Sequence, residues 1–236
     1  MVYKLSNAAE KSIIEEKFES FFKYPNLYQP QLVIDGLVES TVSICTMENP
    51  DVIDYAIWGL MPNRYKESWQ IFQNAGNTLN FDLEDLKGPI WTENLLQQAR
   101  GLTIATGYFC YFLRNGEIYP YYVCLKNEEP FYLASIYTQL EDGFLSTGII
   151  TTKMDDYLAS FHNLDKVQPL IIPESIAREW LDSSTTLKTI ENIIKNPPRL
   201  ELKANPIAGE FFKNNILYDT ILQPVHYDDL SRGMER

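Results

Sequence analysis

Four side chains of this 236-residue chain have the chemistry to act on a substrate, and they lie far apart in sequence. Cys110 sits in RGLTIATGYFCYF, residues 100 to 112, where an apolar run ends at Thr106-Gly107 and aromatic residues then surround the thiol. A thiol can be a nucleophile, yet a cysteine in an aromatic strand is more often a small buried residue. His162, in ASFHNLDKVQPLIIP, could carry a proton near neutral pH or be a loop histidine with a satisfied hydrogen bond. Asn80, in LNFDLE, could simply cap a turn, and Glu84 alone reads as part of a solvated face. A hydrolase built on Cys110 and His162 is disfavoured, because no third residue is suggested to orient the histidine.

Composition narrows the function classes. Hydrophobic residues make up 45% and aromatic residues 13%, the balance of a globular protein with a real core. No apolar run approaches the roughly 20 residues that a membrane span requires, and the N-terminal MVYKLSNAAEKSIIEEKF lacks an apolar signal core. A cytoplasmic protein without membrane contact is the expectation. Three cysteines are too few for a disulfide framework and lack zinc spacing, and two histidines exclude a histidine-rich metal site. No metal or cofactor is expected. The net charge of −12 argues against a general nucleic-acid binder, although a local basic cleft on an acidic body stays open.

The elements that must position these residues are mostly strands. Ser6-Asn7 reads as a cap for a helix running to about Phe22, with Ile13, Ile14, Phe18 and Phe21-Phe22 at helical spacing. Residues 31 to 62 read as strands around turns at Asp35-Gly36 and Asn49-Pro50-Asp51. Residues 64 to 75 look irregular or weakly helical, and 92 to 100 look helical. From Leu102 to Thr152 the chain is mostly β, with turns at Asn115-Gly116 and Asn127 to Pro130. Pro173 opens one helix and LKTIENIIK forms another. An α+β fold is predicted: a curved, mainly antiparallel, barrel-like sheet with peripheral helices. Residues 1–236 are read as one domain.

The order of short motifs goes further. AIWGLMP (56–62), LNFDLE (79–84), RGLTIATGYFCYF (100–112), YPYYV (119–123), FYLASIY (131–137), TGIITT (147–152) and FHNLDKVQPLIIPESIAREWLD (161–182) follow one another. This series resembles the SRAP family, the SOS-response-associated peptidase-like proteins that sense abasic sites in single-stranded DNA. The family pattern is Met-Cys, then W-G-L-I/M-P, N-A-R-x-E, R-C-L-I-P-A-x-G-F-Y-E-W, P-Y, A-G-L-W, T-I-I-T-T and H-x-R-M-P-V-I-L. The resemblance covers roughly residues 1 to 182, and Trp58 to Pro62 is its clearest match.

The resemblance implies a chemistry and marks where this chain departs from it. In the family, a cysteine exposed by removal of the initiator Met supplies an α-amine and a thiol. The amine condenses with the ring-opened sugar aldehyde and the thiol closes a thiazolidine. Glutamate, asparagine and histidine position the sugar and move protons, and arginines hold phosphates. Here Val2 stands at the cysteine position and Cys110 at the glutamate of GFYEW. Asn80, Glu84 and His162 match, but Asp82 replaces an arginine, and Val167 and Gln168 replace Arg-Met. Lys4, Arg64 and Lys66 are the candidate DNA contacts. The resemblance therefore implies a DNA-damage-response protein that binds single-stranded or abasic DNA with its crosslinking lost or altered. The alternative is an inactive scaffold for a protein or small ligand.

Overall fold

The computed structural model describes residues 1–87, 90–92, 94–212 and 220–231. Strands β1 (Lys4–Asn7), β2 (Phe21–Phe22), β3 (Gln31–Asp35), β4 (Thr41–Thr46) and β5 (Val52–Trp58) come first, with helix α1 (Lys11–Phe18) after β1. Helix α2 (Trp69–Ala75), strand β6 (Asn80–Phe81) and helix α3 (Leu95–Gln98) lead to the long strands. These are β7 (Arg100–Ala105), β8 (Gly107–Arg114), β9 (Glu117–Leu125), β10 (Phe131–Gln139) and β11 (Leu145–Lys153). Helix α4 (Asp156–Ala159), strands β12 (Val167–Pro169) and β13 (Ile171–Ile172), and helices α5 (Glu174–Leu181) and α6 (Leu187–Lys195) follow. Strand β14 (Leu202–Pro206) and helix α7 (Asp228–Ser231) come last.

The curvature expected from the sequence takes the form of closure. β11 pairs with β10, β10 with β7, β7 with β4, and β4 with β5, all antiparallel. β5 then returns to β11 as a parallel neighbour, with Leu145 opposite Ala56 and Thr147 opposite Trp58. The circuit closes a five-stranded barrel wall. A second sheet, in the order β14-β9-β8-β1-β3, packs against it. The wall is buried on both faces, which explains the nearly unbroken apolar runs of β7 and β10. Leu102, Ile104, Tyr132, Ala134 and Ile136 face a core shared with α1, α5 and α6. Ala105, Phe131 and Leu133 face a core shared with β1 and β8.

Two expectations at the N-terminus need correction. Ser6-Asn7 does not cap a helix, because both residues belong to β1, a strand inserted between β8 and β3. The helix starts at Lys11 behind Glu10, and Phe21–Phe22 is a short strand beside β5. Serine and asparagine favour helix caps locally, but pairing with Tyr108 and Gly107 outweighs that preference. The helix foreseen over 92–100 shrinks to a 3-10 turn at Ile90–Thr92 and the single turn of α3. Residues 64–75 hold the definite helix α2. The turn signals and the helix after Pro173 agree with the sequence reading.

The chain changes sheets at Thr106-Gly107, where β7 of the barrel becomes β8 of the second sheet. Thr106 N donates to Ser6 O at 2.7 Å, and Ala8 N donates to the Thr106 hydroxyl at 3.0 Å. A Cβ on Gly107 would lie 2.3 Å from the Tyr122 ring, so only glycine lets these strands approach. Trp58 to Met61 forms a second clamp. Trp58 Nε1 donates to Leu79 O at 3.1 Å, and Gly59, at φ +117°, turns so that its N–H reaches Thr147 O at 2.9 Å. This clamp fixes Leu79, and therefore its neighbour Asn80, against β11.

Candidate functional site

Strand alternation decides which side chains of β8 can share a site. Tyr108, Cys110 and Phe112 point into the core beside Val2, whereas Phe109 and Tyr111 point to the opposite face near Phe211. Cys110 therefore shares a face with the N-terminus. Val2, Cys110 and His162 line one small cavity together with Met1, Tyr108 and Gln168. Its volume is about 10 Å³, enough for about one water.

Asn80 is joined to the same place through the backbone. Val2 N donates to Asn80 Oδ1 at 3.1 Å, and Asn80 Nδ2 donates back to Val2 O at 2.7 Å. This reciprocal pair spans 78 positions in sequence. Removal of Met1 would make Val2 N an α-amine already held by an amide oxygen. With Met1 in place, the amine belongs to Met1 and contacts the Asp165 carboxylate. Burial pushes that amine down to about 6, while the carboxylate opposes the shift by favouring the charged form.

His162 is buried against the backbone of β8. Its Nδ1 lies 2.8 Å from Tyr111 O and 3.3 Å from Tyr111 N. A protonated Nδ1 donates to Tyr111 O, and an unprotonated Nδ1 accepts from Tyr111 N, so the tautomer sets which of the two contacts is made. Desolvation lowers the His162 pKa, the Tyr111 carbonyl opposes this, and the nearby N-terminal charge lowers it further. The sign of the linkage follows. A histidine kept neutral in the native state binds fewer protons than the unfolded chain just below the ordinary histidine pKa of about 6.5. Stability should then fall as pH drops through that value toward the depressed native pKa. Urea midpoints between pH 7 and 5 should show this slope, and His162→Gln should reduce it, the remainder above about pH 6 coming from the Met1 amine. An equal slope in the variant would place the titration elsewhere.

The thiol is not poised for chemistry. Cys110 is 4% exposed, its Sγ lies 3.7 Å from Phe161 O, and burial pushes its pKa up to about 12. At neutral pH it is a thiol, not a thiolate. Tyr108 Oη, buried alongside, has no hydrogen-bond partner among the described residues.

The remaining sequence candidates fall outside this cluster. Lys4 is paired with Asp35 and lies over the Phe211 ring at 5.8 Å. Arg64 is exposed on the segment before α2, and Lys66 approaches Glu141 at 3.5 Å. Glu84 is exposed and faces Lys87 at 3.5 Å. Asp82 accepts from the N–H groups of Glu84 and Asp85, each at 2.8 Å, and so holds a turn. Val167 and Gln168 do reach the cavity, and Gln168 Oε1 accepts from Asp155 N at 2.9 Å. Asp165 and Tyr108 were missed. Both lie in the quoted motifs, but only the fold brings Asp165 to the first residue of the chain. Among the described residues no cluster of three or more His, Cys, Asp or Glu side chains is placed to hold a metal ion. No helix among them is long and apolar enough to cross a membrane.

The family model described as SOS response associated peptidase (SRAP) matches residues 2–213. Among curated proteins none matches the chain. A crystal structure of a protein from Bacteroides thetaiotaomicron is similar in fold, with TM-score 0.83 and 21% identity, covering 95% of this chain and 100% of that one. A Bordetella bronchiseptica protein gives TM-score 0.70 at 13% identity, over 87% of this chain and 99% of its own. A phage-related protein from Bordetella bronchiseptica gives 0.60 at 19%, over 87% and 93%.

Proposed function

Starting from the premise that this chain belongs to the SRAP family of SOS response associated peptidases, we propose that it is a cytoplasmic DNA-damage-response protein. In this reading it binds single-stranded DNA, including strands with an abasic site, without forming the family's covalent linkage. The observation that carries the reading is a groove of about 770 Å³ beside the N-terminal cavity, with Met154 and Gln168 lining both. Lys126, Lys153, Lys195 and Arg199 line it against Asp155, Asp156 and Glu201, four cations to three carboxylates. On a chain of net charge −12, this is a surface that a phosphodiester strand can approach. Lys126 leans toward Glu201 at 3.8 Å and Lys195 toward Glu191 at 3.2 Å. Among the described residues Lys153 and Arg199 have no carboxylate in ion-pair reach, which leaves them for phosphate. Tyr157, 46% exposed on the same wall, offers a ring for a base.

The inactive-scaffold reading has its own support in the 10 Å³ cavity, which has no room for a sugar, and in the net charge. A titration separates the two. Fluorescence anisotropy with a single-stranded oligonucleotide, with and without an abasic site, should show binding that weakens with salt. A Lys153→Ala, Arg199→Ala double substitution should reduce the log–log salt slope by about 1.4, roughly 0.7 per lost contact. No binding at about 50 mM salt, or an unchanged slope in the double variant, favours the scaffold.

A further inference from the structure

A separate cleft, of about 490 Å³, shares no lining residue with the cavity or the groove described above. The segment between β5 and α2, the turn between β10 and β11, and Glu39 from the β3–β4 loop surround it. Its floor is apolar: Met61 and Trp69 are buried, and Ile57, Tyr65 and Leu140 are half-buried. Hydrogen bonds fix that floor. Met61 N donates to the Ser146 hydroxyl at 2.9 Å, and Trp69 Nε1 donates to Trp58 O at 2.8 Å. The Tyr65 ring meets Phe72 edge-on at 4.8 Å and its hydroxyl donates to Ser68 O at 3.3 Å, so the ring is held in one orientation. An occupant therefore meets a preformed apolar and aromatic surface.

Charge gives the cleft its direction. Glu39, Glu67, Glu141 and Asp142 line it against a single cation, Lys66, which approaches Glu141 at 3.5 Å. Among the described residues Glu39, Glu67 and Asp142 have no cation in ion-pair reach. Asp142 only accepts from Phe144 N at 3.1 Å. Leu37, Val38 and Phe144, each more than half exposed, stand within two residues of Glu39 or Asp142 and extend the apolar surface outward. The cleft thus repels phosphate and favours a cation that also carries apolar surface.

The aromatic ring narrows the class further. Carboxylates alone would accept any cation, but a ring set among them favours a guanidinium, which stacks on the ring face while its fork pairs a carboxylate. The apolar floor suits the aliphatic stem behind that head group. We infer that this cleft is a docking site for an arginine-bearing basic segment of a protein partner, with one arginine over Tyr65 and its stem on the apolar floor. The inference does not rest on the DNA reading.

Fluorescence anisotropy of a labelled peptide, two arginines flanking a leucine, tests it on the full chain. Saturable binding is expected at about 50 mM salt, with Kd between about 10 µM and 1 mM, and the same peptide with lysines should bind several-fold more weakly. Glu39→Gln, Glu67→Gln should weaken the arginine peptide at least tenfold. Glu16→Gln, Glu179→Gln removes the same charge from exposed positions on α1 and α5, outside the cleft, and should change binding less than twofold. Tyr65→Leu should weaken binding about two- to fivefold and erase the preference for arginine over lysine. Thermal melts confirm that each variant is folded. Absence of saturable binding up to about 2 mM peptide overturns the inference. Equal losses in the two glutamate pairs overturn it as well, because net charge alone would then hold the peptide. So does a lysine peptide that binds as tightly as the arginine one.

Discussion

Incubated at neutral pH with single-stranded DNA carrying an abasic site, this protein is expected to yield no heat-stable adduct. An amine alone forms a reversible imine with the aldehyde, and a thiazolidine needs a thiol on the same residue. Val2 has none. The Cys110 thiol cannot substitute, because it is buried with its pKa pushed up to about 12 and lies on another strand. If Cys110 stands where the resemblance sets a glutamate, an acid–base partner worth roughly 10²–10⁴-fold is missing as well. Borohydride should trap at most a trace of the imine.

The double substitution Val2→Cys, Cys110→Glu, with Met1 removed, should restore measurable crosslinking. The new thiol would replace a side chain whose backbone N is already held by Asn80 at 3.1 Å. The new carboxylate would enter a buried position, which is costly when nothing pairs it. Tyr108 Oη, buried with no partner, is a donor waiting on the same face. A thermal melt of the double variant confirms folding before the crosslink is scored. A heat-stable adduct with the unmodified protein would show that another nucleophile has taken over the cysteine's task. A folded double variant with no adduct would show that the 10 Å³ cavity has lost the room the sugar needs.

The largest stability effect should come from Arg100. It is completely buried, and its guanidinium donates only to carbonyls: Leu96 O at 2.8 Å, Gln97 O at 3.1 Å, Trp180 O at 2.5 Å and Asp182 O at 2.7 Å. Two of these lie in α3 and two at the end of α5, so one cation satisfies the C-terminal carbonyls of two helices. Desolvation lowers its pKa, and the Asp182 carboxylate opposes that shift. Arg100→Met removes every donor at once and should cost about 3–5 kcal/mol, read as a lower urea midpoint at unchanged m. Arg100→Lys keeps the charge but loses the planar fork, and should recover only part of the loss. A cost below about 1 kcal/mol for Arg100→Met would mean that water caps both helix ends equally well.

Sequence alone determined the fold class and the family, because both rest on ordered local signals. The β-branched and aromatic runs of β7 to β11, the turn at Asn115-Gly116 and the Trp58 to Pro62 motif are legible over a few residues each. Residue identity needs no coordinates either: position 2 carries a valine without a thiol and position 110 a cysteine without a carboxylate, where the resemblance would set a cysteine and a glutamate. Tertiary structure decided what depends on distant partners. Ser6-Asn7 has helix-cap chemistry, yet it becomes strand because β8, about 100 residues later, supplies the neighbour. Closure of the barrel depends on β5 meeting β11 in parallel, a pairing with no local signature. The same holds for the charges. Lys4 and Asp82 could be assigned phosphate attraction and repulsion from their types, but the fold commits one to Asp35 and the other to a turn. Asp165 meets the first residue of the chain only because the segment after α4 folds back across 164 positions. Side-chain chemistry is written residue by residue, whereas the partner that spends or frees it is set by long-range strand pairing.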